Sequence, residues 1–249
     1  MKENKGPPVF QKDDIFRGRE WNGDFQFNRR VAEVFDDMLK RSVPCYSQVI
    51  EMTARILEKF LIPGDRVYDL GSSTGTTLIE LARRLEHLKL KFTGFDNSAA
   101  MVEKATLKAE IYSKKERLKF KKKDITDLDL HQGGAIILNY TMQFVSPEIR
   151  ENFLTKIYGF LRPGGVLVMS EKVILSDPAL NSGFVEFYHD FKRSMGYSEI
   201  EISNKREALE NVLIPLTAEE NLALMKTAGF NSAQPFFQWF NFVSFVGIR

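Results

Sequence analysis

The stretch Tyr68-Asp-Leu-Gly71-Ser-Ser-Thr-Gly75 decides the fold of this 249-residue chain. It follows a short apolar run and opens a helical pattern. Glycines at a strand-to-helix turn allow a tight turn and a close approach of the backbone to a ligand. A dinucleotide-binding loop also has glycines here, but serines stand where G-x-G-x-x-G requires its middle glycine. The remaining alternative is a tight turn without a ligand.

Short apolar runs alternate with helical stretches after this turn, which indicates parallel strands joined by crossover helices. Five strands are predicted at residues 66–70, 91–95, 118–122, 134–139 and 165–170, and two aromatic strands at 233–239 and 241–248. A mostly helical section is predicted from residue 170 to about 210, and a further helix at 218–228. The predicted fold class is α/β, with a doubly wound, mostly parallel, seven-stranded Rossmann-like sheet.

Two helices are predicted ahead of the first strand. Apolar residues recur at helical spacing from Val31 to Leu39, and a second helix begins near Tyr46 and ends before Pro63. Residues 1–25 have no apolar period, which predicts a flexible N-terminal arm that orders only against something else. We therefore expect a single domain over residues 26–249, with an N-terminal helical extension and a helical insertion after the fifth strand.

Composition excludes several classes of protein. Lys and Arg number 35 against 33 Asp and Glu, so the formal charge of +2 gives no case for nucleic-acid binding. The single cysteine, Cys45, cannot form an intrachain disulfide, and the first eight residues lack the apolar core of a secretory signal. The apolar runs are too short to span a bilayer. These features predict a cytoplasmic protein with no direct contact to nucleic acid or membrane.

Acidic residues follow two further predicted strands. Asp96, followed by Asn97, ends the second strand, and a carboxylate at this position can accept both hydroxyls of a ribose. Asp124 follows the third strand, where an acid can accept from the exocyclic amine of adenine. Taken alone, Asp96 would be an ordinary charge near a helix N-terminus. It is a candidate ribose-binding residue because it ends the strand that follows the glycine loop in the chain.

Other patterns leave alternatives open. The four lysines within residues 119–123 indicate either nucleic-acid contact or, more commonly, a solvated sheet edge. The aromatic segment 236–242 is either a base-stacking surface or, more often, core or a subunit interface. The three histidines are scattered and no cluster of residues has metal-ligand spacing, so no metal is predicted.

Taken in order, these signals resemble the class I S-adenosylmethionine-dependent methyltransferase family over about residues 60–170. Two more signals complete the set, Asn139-Tyr-Thr141 after the fourth strand and Pro163-Gly164-Gly165 before the fifth. Each signal is weak alone, and the ordered set is specific. The resemblance implies a cofactor lying across the carboxyl ends of the strands.

Segments outside this core resemble the carboxy-S-adenosyl-L-methionine synthases from about residue 25 to the end. They are Arg30-Val-Ala-Glu-Val-Phe35, Arg41-Ser-Val-Pro-Cys-Tyr46, Ser170-Glu-Lys172, His189-Asp-Phe-Lys-Arg193 and the stretch from Gly196 to Arg206. Members of that family use prephenate to carboxylate the methyl group of S-adenosyl-L-methionine. The resemblance implies that cofactor as substrate or carboxy-S-adenosyl-L-methionine as bound product, a homodimer, and transfer of the product to a separate enzyme that carboxymethylates the tRNA wobble uridine.

The same resemblance implies site residues. Those that would bind the cofactor run from its amino-acid end to its sulfonium: Gly71, Ser72 and Ser73, then Asp96 and Asn97 at the ribose, Asp124 and Ile125 at the adenine, and Asn139. Arg206 would pair bidentately with the new carboxylate, and Tyr46 would add a hydroxyl and an aromatic wall. By position alone, Arg206 would instead pair with Glu210 on its own helix.

Two other functions stay open on the sequence. The core motifs also permit an ordinary S-adenosylmethionine-dependent methyltransferase acting on tRNA or a small molecule. A cofactor-binding partner or RNA-binding module would bind without turnover, and the balanced charge makes RNA its less favoured ligand.

Overall fold

The computed structural model describes residues 11–18, 25–111 and 117–249. Its helices, apart from short 3₁₀ turns, are α1 (Arg29–Ser42), α2 (Tyr46–Phe60), α3 (Thr76–Arg84), α4 (Ala99–Ile111), α5 (Arg150–Phe160), α6 (Pro178–Ser194), α7 (Glu199–Leu209) and α8 (Ala218–Thr227). Its strands are β1 (Arg66–Leu70), β2 (Lys91–Asp96), β3 (Leu118–Lys122), β4 (Gly133–Asn139), β5 (Leu161–Lys172), β6 (Ser232–Trp239) and β7 (Phe242–Ile248).

The strands form one seven-stranded sheet in the order β3-β2-β1-β4-β5-β7-β6. The strands β1 to β5 run parallel to one another, while β7 is antiparallel to both β5 and β6. The predicted mostly parallel sheet is confirmed, with the last two strands making it mixed. The strand order reverses between β1 and β4, and ligands of open α/β sheets bind at such a switch point.

Helices cover both faces of the sheet, as a doubly wound fold requires. Alternate residues of β4 enter two separate apolar clusters, Ile136 and Leu138 in one, Ala135 and Ile137 in the other. Residues of α5 and α8 complete the first cluster, and residues of α2 and α3 complete the second. A strand covered on both faces is apolar at every position, which explains the continuous run in β4.

Strand β5 is longer than the sequence predicts, because it begins at Leu161 and continues to Lys172. Glu171 lies in this extension and is 2% exposed. Its carboxylate accepts the backbone amides of Met142, at 2.8 Å, and Gln143, at 3.0 Å. These donors satisfy a buried acid that looks like a strand end in the sequence. The predicted helical section therefore starts later, with α6 at Pro178.

The described part of the N-terminal arm packs against α1 and α7. Asp13, Ile15 and Phe16 are buried, and the amide of Asp13 donates to the Asp37 carboxylate at 2.8 Å. Residues 1–10 and 19–24 of the arm lie outside the described residues, so the division at residue 25 stays a prediction. No helix in the described ranges is long and apolar enough to cross a membrane.

Candidate functional site

The glycine loop between β1 and α3 has its shape set by close contacts. Gly71 has φ +85°, and a Cβ there would lie 2.5 Å from the Thr141 hydroxyl oxygen. Gly75 has φ +77°, and its Cβ would lie 2.4 Å from the ring of Phe120. Both the backbone conformation and the space favour glycine. The amides of Gly71 and Ser72 donate to the Phe95 carbonyl, which holds the loop against the end of β2.

Asp96 lies at the end of β2 and joins that strand to the loop. Its two carboxylate oxygens accept the amides of Ser73, at 2.9 Å, and Ser98, at 2.8 Å. Burial raises the pKa of Asp96, and these two amides oppose the rise. Each oxygen keeps a lone pair for a further donor. The structure thus brings the predicted ribose acid into direct contact with the predicted loop.

Buried polar atoms without partners gather at the carboxyl ends of β1 and β4. Within the described residues, Asp69 Oδ1, Ser72 Oγ, Asn139 Oδ1 and the Tyr140 hydroxyl are all buried and accept or donate no hydrogen bond. Buried polar groups in folded proteins are nearly always bonded, so such a concentration marks a ligand site. Burial, followed by the nearby charge of Asp96, raises the pKa of Asp69 to about 8.

A three-residue contact joins Asn139 at the end of β4 to α2 and α3. The Thr77 hydroxyl lies 3.1 Å from the Tyr46 hydroxyl and accepts from the Asn139 amide at 3.1 Å. The Tyr46 ring lies 6.5 Å from that of Tyr140. Burial raises the pKa of both tyrosines, so both hydroxyls stay protonated at neutral pH. Thr77 is absent from the predicted site, although it stands in the same Ser-Ser-Thr-Gly-Thr-Thr run.

The predicted adenine residues lie next along the same sheet edge. Asp124 is exposed and caps a short 3₁₀ turn, where its Oδ1 accepts the amide and the hydroxyl of Thr126. Ile125 is half-buried and Asn97 is exposed. The amide of Lys123 donates to the Asp96 carbonyl at 2.9 Å, which fixes the end of β3 beside the end of β2.

Arg206 lies on α7 and is exposed. Among the described residues it forms no hydrogen bond or ion pair, so the alternative pairing with Glu210 is wrong. No hydrogen bond joins it to Tyr46 or Asn139. The cofactor residues contact one another around the strand ends, whereas the charge of Arg206 acts on His189 and Lys192 of α6.

Sequence reasoning missed the residue that ties α1 to the loop. Asp36 accepts the hydroxyls of Thr74, at 2.6 Å, and Thr76, at 2.8 Å, together with the ammonium of Lys108, at 2.8 Å. Burial alone would raise the pKa of Asp36, but Lys108 and the two hydroxyls outweigh it, and the pKa is lowered. These partners come from three elements, so no local pattern could have revealed the contact.

Comparison with known proteins identifies the fold. A family model described as a methyltransferase domain matches residues 67–165. An O-methyltransferase family protein from Burkholderia thailandensis has a TM-score of 0.65 at 19% identity, covering 96% of this chain and 63% of its own. Human N-acetylserotonin methyltransferase, solved with S-adenosylmethionine, has a TM-score of 0.61 at 16% identity, covering 89% of this chain and 55% of its own. These similarities show a class I methyltransferase fold.

Relatives found by sequence are far more similar. A protein from Desulfotalea psychrophila is 52% identical over 239 residues, which are 96% of this chain and 98% of the relative. One from Nautilia profundicola is 47% identical over 90% of this chain and 94% of its own, and one from Aliivibrio fischeri is 42% identical over 91% and 94%. All three carry the same name. Identity at this level over nearly the whole of both chains shows that this chain belongs to the carboxy-S-adenosyl-L-methionine synthase family.

Proposed function

We propose that the protein is an enzyme that converts S-adenosyl-L-methionine and prephenate to carboxy-S-adenosyl-L-methionine and phenylpyruvate. The observation that carries the proposal is the group of four unpartnered buried polar atoms at the ends of β1 and β4. A polar, partly charged ligand of adenosyl type would satisfy them. Family membership supplies the reaction, because the relatives are named for that product.

The geometry supports a position for each part of the sulfonium substrate. Its amino-acid end would lie against the backbone of Gly71, Ser72 and Ser73, where glycine lets a ligand approach closely. Its ribose would donate to the remaining lone pairs of Asp96. Asn139 would face the sulfonium side.

The remaining predicted residues would contact the adenine and the reactive end of the same substrate. Asp124 and Ile125 would receive the adenine at the end of β3. Tyr46 would form a wall of the reaction pocket, since its hydroxyl meets Asn139 through Thr77.

The proposed reaction needs two oriented ligands and little acid–base help from the protein. Prephenate becomes aromatic when its ring carboxylate leaves as carbon dioxide and its ring hydroxyl leaves as hydroxide with the bonding pair. Hydroxide takes a proton from the sulfonium methyl group, giving water and an ylide. The ylide carbon then bonds to carbon dioxide, which forms the carboxymethyl sulfonium. The protein would hold the two ligands together and exclude bulk water.

Arg206 is proposed to bind the new carboxylate through a bidentate pair. Its exposed position on α7, without a hydrogen bond to the cofactor residues, is the reason to propose that it acts in a homodimer or after a movement of α7. The product would pass to a separate enzyme that modifies the tRNA wobble uridine. A cytoplasmic location follows from that role and stays a prediction.

The test is direct. The protein is incubated with S-adenosyl-L-methionine and prephenate labelled with ¹³C in its ring carboxyl, and the nucleoside product is weighed. Gain of one labelled carbon dioxide by the cofactor, with release of phenylpyruvate, is expected. Transfer of a methyl group to tRNA or a small acceptor, with no such gain, would establish an ordinary methyltransferase instead.

A further inference from the structure

Two lysines lie beside one tyrosine ring at the end of β5. The ammonium of Lys172, the last residue of β5, is 5.1 Å from the centroid of the Tyr188 ring. Tyr188 and Lys192 both lie on α6, and the ammonium of Lys192 is 4.5 Å from the same centroid. Lys192 is only 5% exposed. Cation–π contact partly stabilises these ammonium groups, and a full counter-charge would stabilise them more.

The lysine pair has no anionic partner of its own. Across residues 11–18, 25–111 and 117–249, neither ammonium forms an ion pair or a hydrogen bond. Two further cations, Lys205 and Arg206, act electrostatically on Lys192. Burial, then the charges of Lys205, Lys172 and Arg206, lower the pKa of Lys192 well below its usual range.

Asp13, the acidic residue whose charge acts on Lys192, already has other partners. Asp13 accepts from the Tyr197 hydroxyl and lies 3.9 Å from the ammonium of Lys205. A buried cation without a partner is costly, and a bound anion offsets that cost. The excess of positive charge therefore fits an anionic ligand.

The lysine pair lies at the edge of the sheet formed by the carboxyl ends of the parallel strands. Ser170 is the register partner of Asn139, and Lys172 continues β5 two residues beyond it. The partner of Lys172 on β7 is Phe242, whose ring is 5.0 Å from that of Tyr188 and 6.0 Å from that of Tyr140.

Aromatic rings thus join the lysine pair to the proposed sulfonium site. The ring of Tyr140 is 6.5 Å from that of Tyr46, and the Tyr188 hydroxyl donates to the Ser42 carbonyl at 2.9 Å, just before the turn into α2. Together, Tyr46, Tyr140, Phe242 and Tyr188 form what we call the aromatic wall. A flat apolar ligand body fits against such a surface.

We propose that Lys172 and Lys192 bind the side-chain carboxylate of the second substrate, whose ring lies along the aromatic wall. This inference rests on the function proposed above and assigns a position to the carboxyl donor. The donor is a dianion whose two carboxylates have different fates. The ring carboxylate loses its charge as it leaves, so a cation bound to it would stabilise the ground state and slow the reaction. The side-chain carboxylate keeps its charge throughout, and a fixed cation pair can anchor it without that penalty.

Two substitutions of similar volume test the inference, Lys172→Met and Lys192→Met. We expect KM for prephenate to rise about 10- to 100-fold, as for loss of a charged hydrogen bond, while Kd for S-adenosyl-L-methionine changes less than about twofold. Phenylpyruvate retains the same carboxylate, so its Kd, measured by calorimetry, should weaken in parallel. Lys192→Arg should restore part of the loss. The exposed Lys226→Met is the matched control and should leave all of these constants unchanged.

The outcomes separate this inference from the proposed function. Unchanged KM for prephenate in both Met variants of an active enzyme overturns the subsite and leaves the function intact. A wild-type protein that forms no carboxylated product overturns the function, and phenylpyruvate binding then decides the anion subsite by itself. Removal of an unpaired buried charge should not unfold the protein. If Lys192→Met nevertheless fails to fold, Lys172→Met alone carries the same comparison.

Discussion

Lys205 and Arg206 are consecutive residues of α7 that lie in opposite environments. Lys205 is 6% exposed, and its ammonium donates to the Ser42 hydroxyl at 2.8 Å. Burial lowers the pKa of Lys205 to about 8, although the charge of Asp13 opposes the shift. Arg206 is exposed. Lys205 anchors α7 to the end of α1, and Arg206 is the residue proposed to bind the new carboxylate.

Arg206→Leu should separate binding of the two cofactor forms. We expect Kd for S-adenosyl-L-methionine to stay within about twofold, and Kd for carboxy-S-adenosyl-L-methionine to weaken about 10- to 100-fold, because only the latter offers a carboxylate. Calorimetry with both ligands measures the difference. Glu207→Leu, also exposed on α7, is the control. Equal weakening of both ligands by Arg206→Leu would show a structural role.

Gly71→Ala should destabilise the protein more than Gly64→Ala. The two glycines have nearly the same φ, +85° and +87°, but a Cβ at Gly64 meets nothing within 4 Å, whereas one at Gly71 meets Thr141. We expect about 1 kcal/mol for Gly64→Ala from the backbone alone, and a further ~1–3 kcal/mol for Gly71→Ala from overpacking. Urea unfolding measures both. Adding Thr141→Ala to Gly71→Ala should recover the steric part, and no recovery would contradict this explanation.

Asp36→Ala should lower the free energy of unfolding by about 3–5 kcal/mol, because it leaves the buried ammonium of Lys108 without its counter-charge. It also removes the acceptor for Thr74 and Thr76, so binding of S-adenosyl-L-methionine should weaken. The double variant Asp36→Ala/Lys108→Met should regain much of the stability but not the binding. A double variant as unstable as Asp36→Ala would show that the ion pair is not the cause.

The free energy of unfolding of the protein alone should fall as pH rises from about 4 towards 8. Asp69 titrates with a pKa of about 8 when folded, because it is buried and near Asp96, and near 3.9 when unfolded. In that window the folded state binds the additional proton, so deprotonation favours unfolding, with a slope of at most about 1.4 kcal/mol per pH unit from this one group. Burial also raises the pKa of Glu171 to about 8, which adds a contribution of the same sign. Asp69→Asn should therefore reduce the slope, and leave the part due to Glu171, in urea titrations at several pH values. Parallel curves for the two proteins would refute the assignment.

Local patterns were sufficient for most of the fold. The five parallel strands and the final pair are where the sequence pattern indicates them. The inner strands β1, β2, β4, β5 and β7 are mostly buried and therefore apolar, whereas the edge strands β3 and β6 are more exposed. Strand β5 extends beyond its predicted range of 165–170 at both ends. Its start contains Pro163 and Gly164, and its end contains Glu171, whose charge is satisfied by amides from another segment. Tertiary donors of this kind leave no mark in the strand's own sequence.

The candidate site divides in the same way. The glycine loop and the acids at the strand ends could be predicted to lie together, because parallel strands bring their carboxyl ends to one edge of the sheet. Asp36 and the lysine pair could not, because their partners are distant in the chain and long-range packing sets the distances. Only the family resemblance predicted Arg206 as a site residue, and no local pattern predicted that its side chain would be exposed on α7.

The matched methyltransferase segment ends at residue 165 and starts at residue 67, whereas Tyr46, Lys172, Lys192 and Arg206 all fall outside it. The segment shared with other methyltransferases therefore contains the proposed cofactor-binding residues of the glycine loop and strand ends. The side chains proposed to act on the second substrate and on the new carboxylate come from sequence that flanks this segment.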